Sequence, residues 1–264
     1  MIQMQAGVRY DMPANFGPSI MPDTSVTGHQ LVAGIGFETE PDALAAILPS
    51  HFRPAREPIV QVTAHPVRGV DWLHGRGYNI VTVSASVVPV DAPDEEGPLS
   101  IVAWETDASA IFLGREFLGM PKLWAEIPDI RKDGSSWSFS CSEYGAGLLE
   151  VALEDMTPLG EEKVAEMNTA GSPGVLYGWK YIPGPGGEPD ADYALRIPLG
   201  SATVTSAWSG TGKLEFGSPG PADAPLSSHV IAGLRGLPVV AVKDAFAIER
   251  RDATFPRGDI ERIG

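Results

Sequence analysis

A lysine in apolar surroundings is the residue of this chain best placed to do chemistry. Lys122 follows Pro121 in "GREFLGMPKLWAEI" (residues 114–127), with Met120, Leu123 and Trp124 around it. An uncharged amine attacks a carbonyl carbon, expels water and leaves an iminium that serves as an electron sink. An ordinary lysine titrates at about 10.4 and is charged at neutral pH. Burial penalises the charged form and frees the amine, and a neighbouring cation adds to this. Arg115 is near enough in sequence to supply such a field, and Glu116 to oppose it. The competing reading is an amphipathic stem with its head in water. Lys180, in "GWKY", is the internal comparison: strand alternation lets it face solvent while its aromatic neighbours pack.

The elements that must hold Lys122 are read from the same stretch. Residues 107–119 predict a helix capped by Asp107 or Ser109, with Leu113 and Phe117 sharing one face. Gly119 ends it with a left-handed residue, and Met120, before a proline, is pushed towards extended geometry. Lys122 then opens an extended segment, "KLWAEI". Elsewhere 30 glycines and 24 prolines punctuate short apolar runs, as in a β-rich fold with tight turns. Strands are expected at 31–37, 59–67, 78–90, 99–106, 135–144, 175–184, 193–199, 202–208 and 239–250. In "SSWSFSCSEY" Trp137, Phe139 and Cys141 point one way, which makes Cys141 a core residue. Short helices are expected at 41–49 and 159–167. The fold class is mainly β with a few short helices, a β-rich α+β chain in one domain over residues 1–264. Residues 1–27 are an N-terminal extension and a candidate oligomer contact.

Composition narrows the function classes. Net charge is −15, so binding to nucleic acid or an anionic membrane surface is not expected. No apolar run suggests a membrane span. The N-terminus lacks a secretory pattern, and a single cysteine, Cys141, fits a reducing cytoplasm. His65 and His74 are the one pair that suggests a metal, but no ligand spacing supports it, and hydrogen-bonded or solvated histidines are the better reading. The serines of "AGSPG" and "FGSPG" do not form a G-x-S-x-G elbow, and "GTGKLEF" runs into a strand rather than a phosphate-binding helix.

The segment "GREFLGMPK" resembles the active-site segment of the acetoacetate decarboxylase family. That enzyme is a standard example of an activated lysine. "TEPDALAAILP", "SAWSGTGKLEF" and "LPVVAVKDAFAIERRDATFPRGDI" resemble further family segments in the same order, so the likeness spans roughly residues 28 to 260. The resemblance implies a cone-shaped, mostly antiparallel β-barrel, an oligomer, and no cofactor. It makes Lys122 the Schiff-base lysine, with Arg115 and Glu116 as the arginine–glutamate pair of the preceding helix. The decarboxylase proper has a second lysine where this chain has Leu123. Its cavity glutamates align at Thr63 and near Gly75, and its early arginine near Gln30. Other branches of the family resemble lyases that run aldol condensation and dehydration on pyruvate-type substrates. The chain therefore favours, slightly, an aldolase/dehydratase acting on a small oxo acid or related carbonyl compound. A β-keto acid decarboxylase and a non-catalytic small-molecule-binding barrel are the alternatives. A further acid or base is needed, with Glu116, Tyr78, His74 and Thr63 as candidates. Arg76 is the candidate for a bidentate carboxylate contact, and Met120 a candidate substrate contact beside the lysine.

Overall fold

The computed structural model describes residues 3–169 and 174–263. The "AGSPG" serine lies outside the described residues. The chain is mainly β, as expected: the described residues form one mixed 16-stranded sheet with four short helices. The helices are α1 (Pro41–Ala45), α2 (Ala108–Leu118), α3 (Glu161–Thr169) and α4 (Ser228–Arg235). α4 falls in a stretch for which no element was expected, and α1 stops four residues short of the proline that was to close it, Pro49.

The long first strand, Thr24–Glu38, pairs antiparallel with Ala245–Pro256 on one side and with Ile59–Ala64 and Val67–Val70 on the other. Its start at Thr24 shortens the expected N-terminal extension, because residues 24–27 belong to the sheet. The sheet continues through Ile80–Pro89 and Gly97–Glu105 to Val175–Pro183 and Pro189–Pro198. The opposite arm runs through Thr203–Phe216 and Ala146–Pro158 to Ser136–Glu143. The expected barrel is not a closed cylinder: the path ends at Glu261–Ile263 on one edge and Arg131–Asp133 on the other. Exposed Arg131, Lys132 and Asp133 put charge on that edge, which discourages further strand addition.

Alternation builds the core. Along Ile80–Pro89 every second residue is buried, with Val81, Val83, Ala85 and Val87 inside. Trp137, Phe139 and Cys141 are likewise buried, as their spacing predicts, and burial pushes the Cys141 thiol up to about 12. Trp104 is fully enclosed and donates its indole N–H to Ser227 Oγ at 2.9 Å, tying α4 to the sheet.

Candidate active site

The site is built on a strand–helix–strand unit. Gly97–Glu105 leads into α2, and the chain returns as the short strand Lys122–Trp124, parallel to the first. The register pairs Ala103 with Lys122 and Glu105 with Trp124. Side chains two apart on a strand share a face, so Glu105 projects to the same side as Ala103 and as its partner Lys122.

Local sequence fixes this unit at each joint. Asp107 caps α2, its carboxylate accepting the Ala110 N–H at 3.1 Å. Gly119 ends the helix at φ 60°, where a side chain would be strained. Ala103 N–H donates to Pro121 O at 3.1 Å and Arg115 donates to Lys122 O at 2.8 Å, so the lysine backbone is held on two sides.

The Lys122 amine is buried, with 8% of the residue exposed. It donates to Glu105 Oε1 at 2.7 Å and to Ala110 O at 3.1 Å. Gly114 makes the room: a methyl group there would sit 2.6 Å from Nζ. Glu105 is 1% exposed, and its Oε2 has no hydrogen-bond partner. Burial pushes the Glu105 carboxyl above its ordinary range, the Lys122 charge and hydrogen bond pull it partly back, and Asp107 adds to the rise.

Lys122 lines a narrow cavity of about 30 Å³, walled by Met21, Trp72, Leu113, Phe117, Tyr78 and Arg257. That holds roughly two water-sized bodies, so a larger guest enters only as lining side chains move. The phenol of Tyr78 is pushed well above its ordinary range by burial and by the Glu105 charge, and so stays protonated. A wider concavity of about 710 Å³, lined by Tyr144, Gly147, Pro219 and Asp223, shares no residue with this one and has no basic side chain in its wall.

Of the sequence candidates, the structure brings Lys122 and Tyr78 together in the cavity wall, sets Arg115 and Met120 against the Lys122 backbone, and holds the others elsewhere. Glu116 is exposed on α2, and Glu105 stands at the amine in its place. Arg115 is spent on the Lys122 backbone and positions the lysine. Arg76 is exposed and donates to Leu73 O at 3.2 Å, because the turn through His74 (φ 52°) and Gly75 (φ 82°) carries it outward. His74 is exposed in that turn. Thr63 is buried, but its hydroxyl bonds His65 Nε2 at 2.7 Å and faces that ring. Burial, with the Arg250 charge, pushes the His65 ring down to about 3. Met120 contributes backbone, its carbonyl accepting the Lys122 N–H at 2.8 Å. Among the described residues no three His, Cys, Asp or Glu side chains are grouped to hold a metal. Lys180, the internal comparison, is half-buried in its strand.

Sequence reasoning missed Glu105 and Arg257. The signal for Glu105 was a carboxylate ending the apolar run "SIVAWE". For Arg257 it was a cation following "TFP", directly after a strand.

Comparison with known proteins shows the family and the fold. A family model for acetoacetate decarboxylase matches residues 11–250. The acetoacetate decarboxylase of Burkholderia cenocepacia (strain HI2424) is 26% identical over 211 residues, 80% of this chain and 78% of that one. The crystal structure of acetoacetate decarboxylase from Legionella pneumophila aligns with a TM-score of 0.73 at 22% identity, over 98% of each chain. The enduracididine biosynthesis enzyme MppR, solved with pyruvate, aligns with a TM-score of 0.71 at 16% identity, over 98% of this chain and 99% of that one. With its fold shared end to end and the family match spanning the strand–helix–strand unit of Lys122, the chain belongs to the acetoacetate decarboxylase family.

Proposed function

We propose that the protein is a Schiff-base-forming lyase acting on small oxo acids, with Lys122 as nucleophile and electron sink. The observation that carries this reading is the buried Lys122 amine, 2.7 Å from a buried carboxylate in the wall of a largely apolar cavity. Glu105 is the group that takes the ammonium proton along that bond and returns it. The free amine adds to the carbonyl carbon, and the carbinolamine loses water. The net change is one ammonium and one carbonyl giving one iminium and one water. No cofactor enters these steps.

The chemistry after the iminium is, in this proposal, aldol condensation and dehydration. Loss of a proton from the neighbouring carbon gives an enamine, which attacks an aldehyde and forms the new C–C bond. A second water then leaves, with the protonated Tyr78 phenol placed to donate to the departing hydroxyl. Hydrolysis of the iminium frees the product and restores the ammonium. Leu123 and Thr63, in place of charged groups, support this branch, as does the fold likeness to an enzyme solved with pyruvate. The second reading is decarboxylation of a β-keto acid, favoured by the acetoacetate decarboxylases among the relatives. There the electrons of the breaking C–C bond enter the same iminium, CO₂ leaves and the enamine takes up a proton.

Borohydride reduction with pyruvate or acetoacetate tests the nucleophile. The expected result is a stable mass addition at Lys122 with both. No addition with any oxo acid would leave a non-catalytic binding fold. The proposal extends to a cytoplasmic homo-oligomer: exposed Met12, Phe16 and Ile20 in the segment before Thr24 are the contact it would use, and sedimentation reads the mass. Among the described residues no helix is long and apolar enough to cross a membrane.

A further inference from the structure

We propose that Arg257 holds the substrate carboxylate opposite Lys122 and so selects oxo acids whose carboxylate survives the reaction. The proposal rests on the Schiff-base reading of the same cavity. Arg257 opens the short turn Arg257–Asp259 after the strand Ala245–Pro256, just beyond the residues 11–250 that the family model matches. It is 8% exposed and lines the cavity with Lys122.

Burial disfavours its charge, and the Asp71 carboxylate and the like-charged Arg9 act on it in opposite directions. Among the described residues it forms no ion pair, and its NH1 nitrogen has no hydrogen-bond partner. The nearby acids are committed. Asp71 accepts the Val26 N–H at 2.9 Å on one oxygen and the Trp72 N–H at 2.7 Å on the other. Glu105 is bound to Lys122. The guanidinium instead lies near the rings of Trp72, at 5.7 Å, and Phe255, at 5.5 Å. These rings account for where the side chain packs. They leave a buried cation with an idle donor on a side chain that lines the cavity, an arrangement that costs stability unless an anion completes it.

The planar fork of an arginine matches a carboxylate through two parallel N–H bonds. In a 2-oxo acid that carboxylate is attached to the very carbon that Lys122 attacks. The contact also discriminates between reactions. Decarboxylation turns the carboxylate into neutral CO₂, so the ion pair weakens towards the transition state and raises the barrier. Aldol condensation and dehydration keep it throughout.

The test uses the full chain, the variants R257M and R257K, and three probes: oxamate, pyruvate and acetone. Oxamate carries the carboxylate without a reactive ketone, and acetone the ketone without a carboxylate. R257M is expected to weaken calorimetric oxamate binding and slow borohydride trapping of pyruvate at least tenfold each. Trapping of acetone should stay within threefold of the unsubstituted protein. R257K, which keeps the charge but not the fork, should fall between them and guards against a folding defect. Equal losses with pyruvate and acetone would mark Arg257 as structural, and no loss with pyruvate, or no oxamate binding by the unsubstituted protein, would overturn the carboxylate site. If oxamate binds but neither ketone adds mass to Lys122, the Schiff-base reading fails while the carboxylate site stands.

Discussion

Lys122 Nζ lies 2.7 Å from Glu105 Oε1, and both side chains are almost wholly buried. The pairing of Gly97–Glu105 with Lys122–Trp124 puts them on one face, and α2 is the crossover that allows two parallel strands to meet. A buried pair of this kind is a poor investment for stability alone, because desolvation offsets much of its attraction. In the proposed mechanism it has a purpose as a proton relay: the amine has a buried acceptor within reach.

Lys122→Met is expected to abolish borohydride trapping and to leave Glu105 buried without its cation. Lys122 is what holds the raised Glu105 carboxyl down, so the carboxyl rises further in the variant. A carboxyl raised in the folded state keeps its stabilising contribution at acid pH. It loses that contribution as pH climbs from the ordinary value of 4.5 through the raised one. The variant should therefore lose about 3–5 kcal/mol near neutral pH and much less near pH 4, read by urea unfolding. Lys122→Met with Glu105→Leu should recover most of the loss. An equal deficit at both pH values would remove Glu105 as its cause.

Glu105→Gln keeps the shape but cannot accept a proton. Pyruvate trapping should slow by roughly 10²–10⁴, the usual range for a positioned acid or base. In the unsubstituted protein the trapping rate should rise with pH as the raised Glu105 carboxyl ionises, and the variant should lose that rise. A variant that keeps both rate and pH profile would assign proton transfer to another group. Glu116→Gln, on the exposed face of α2, should leave the rate within about twofold, as surface substitutions distant from a site do.

Gly114→Ala separates helix stability from lysine placement. Alanine is better than glycine inside a helix by about 1 kcal/mol. Here its methyl would come 2.6 Å from Nζ and displace the amine from Glu105. The expected variant keeps its helical signal and loses pyruvate trapping at least tenfold. Unchanged trapping would show that the lysine has another route into the cavity.

Much of this architecture is written in local rules. Asp107, Gly119 and Pro121 mark the start and stop of α2, and alternation marks the buried faces of Val81–Val87 and Trp137–Cys141. Those signals lie within a few residues of what they determine. The partners of Lys122 do not. Glu105 reaches it through strand pairing across a helix, and Arg257 through the register that sets Phe255 against Ser25. Arg76 was chosen for closeness in sequence to Tyr78, and Glu116 for closeness to Lys122 and for its match to the family's arginine–glutamate pair. A turn and a helix face carry them to solvent. Lys122 was legible as the candidate nucleophile because its unusual setting is local and its segment resembles the family's. The groups that tune it were not, because the sheet brings them in.

Tyr78→Phe tests which chemistry follows the iminium. The phenol lines the Lys122 cavity, and burial with the Glu105 charge keeps it protonated throughout the range in which enzymes work. It is thus a donor and not a base. Its loss removes one hydroxyl and little volume, so the amine and its carboxylate partner should stay in place. Pyruvate trapping is expected within about threefold of the unsubstituted protein. Turnover of pyruvate with an aldehyde should fall by roughly 10²–10⁴, because dehydration loses its acid. Decarboxylation of acetoacetate, where no hydroxyl departs after the iminium has formed, should change far less. Single-turnover kinetics with each substrate read the difference. Equal losses in trapping and turnover would return Tyr78 to the wall of the cavity. A larger loss for acetoacetate than for the aldol pair would move the proposed reaction to decarboxylation.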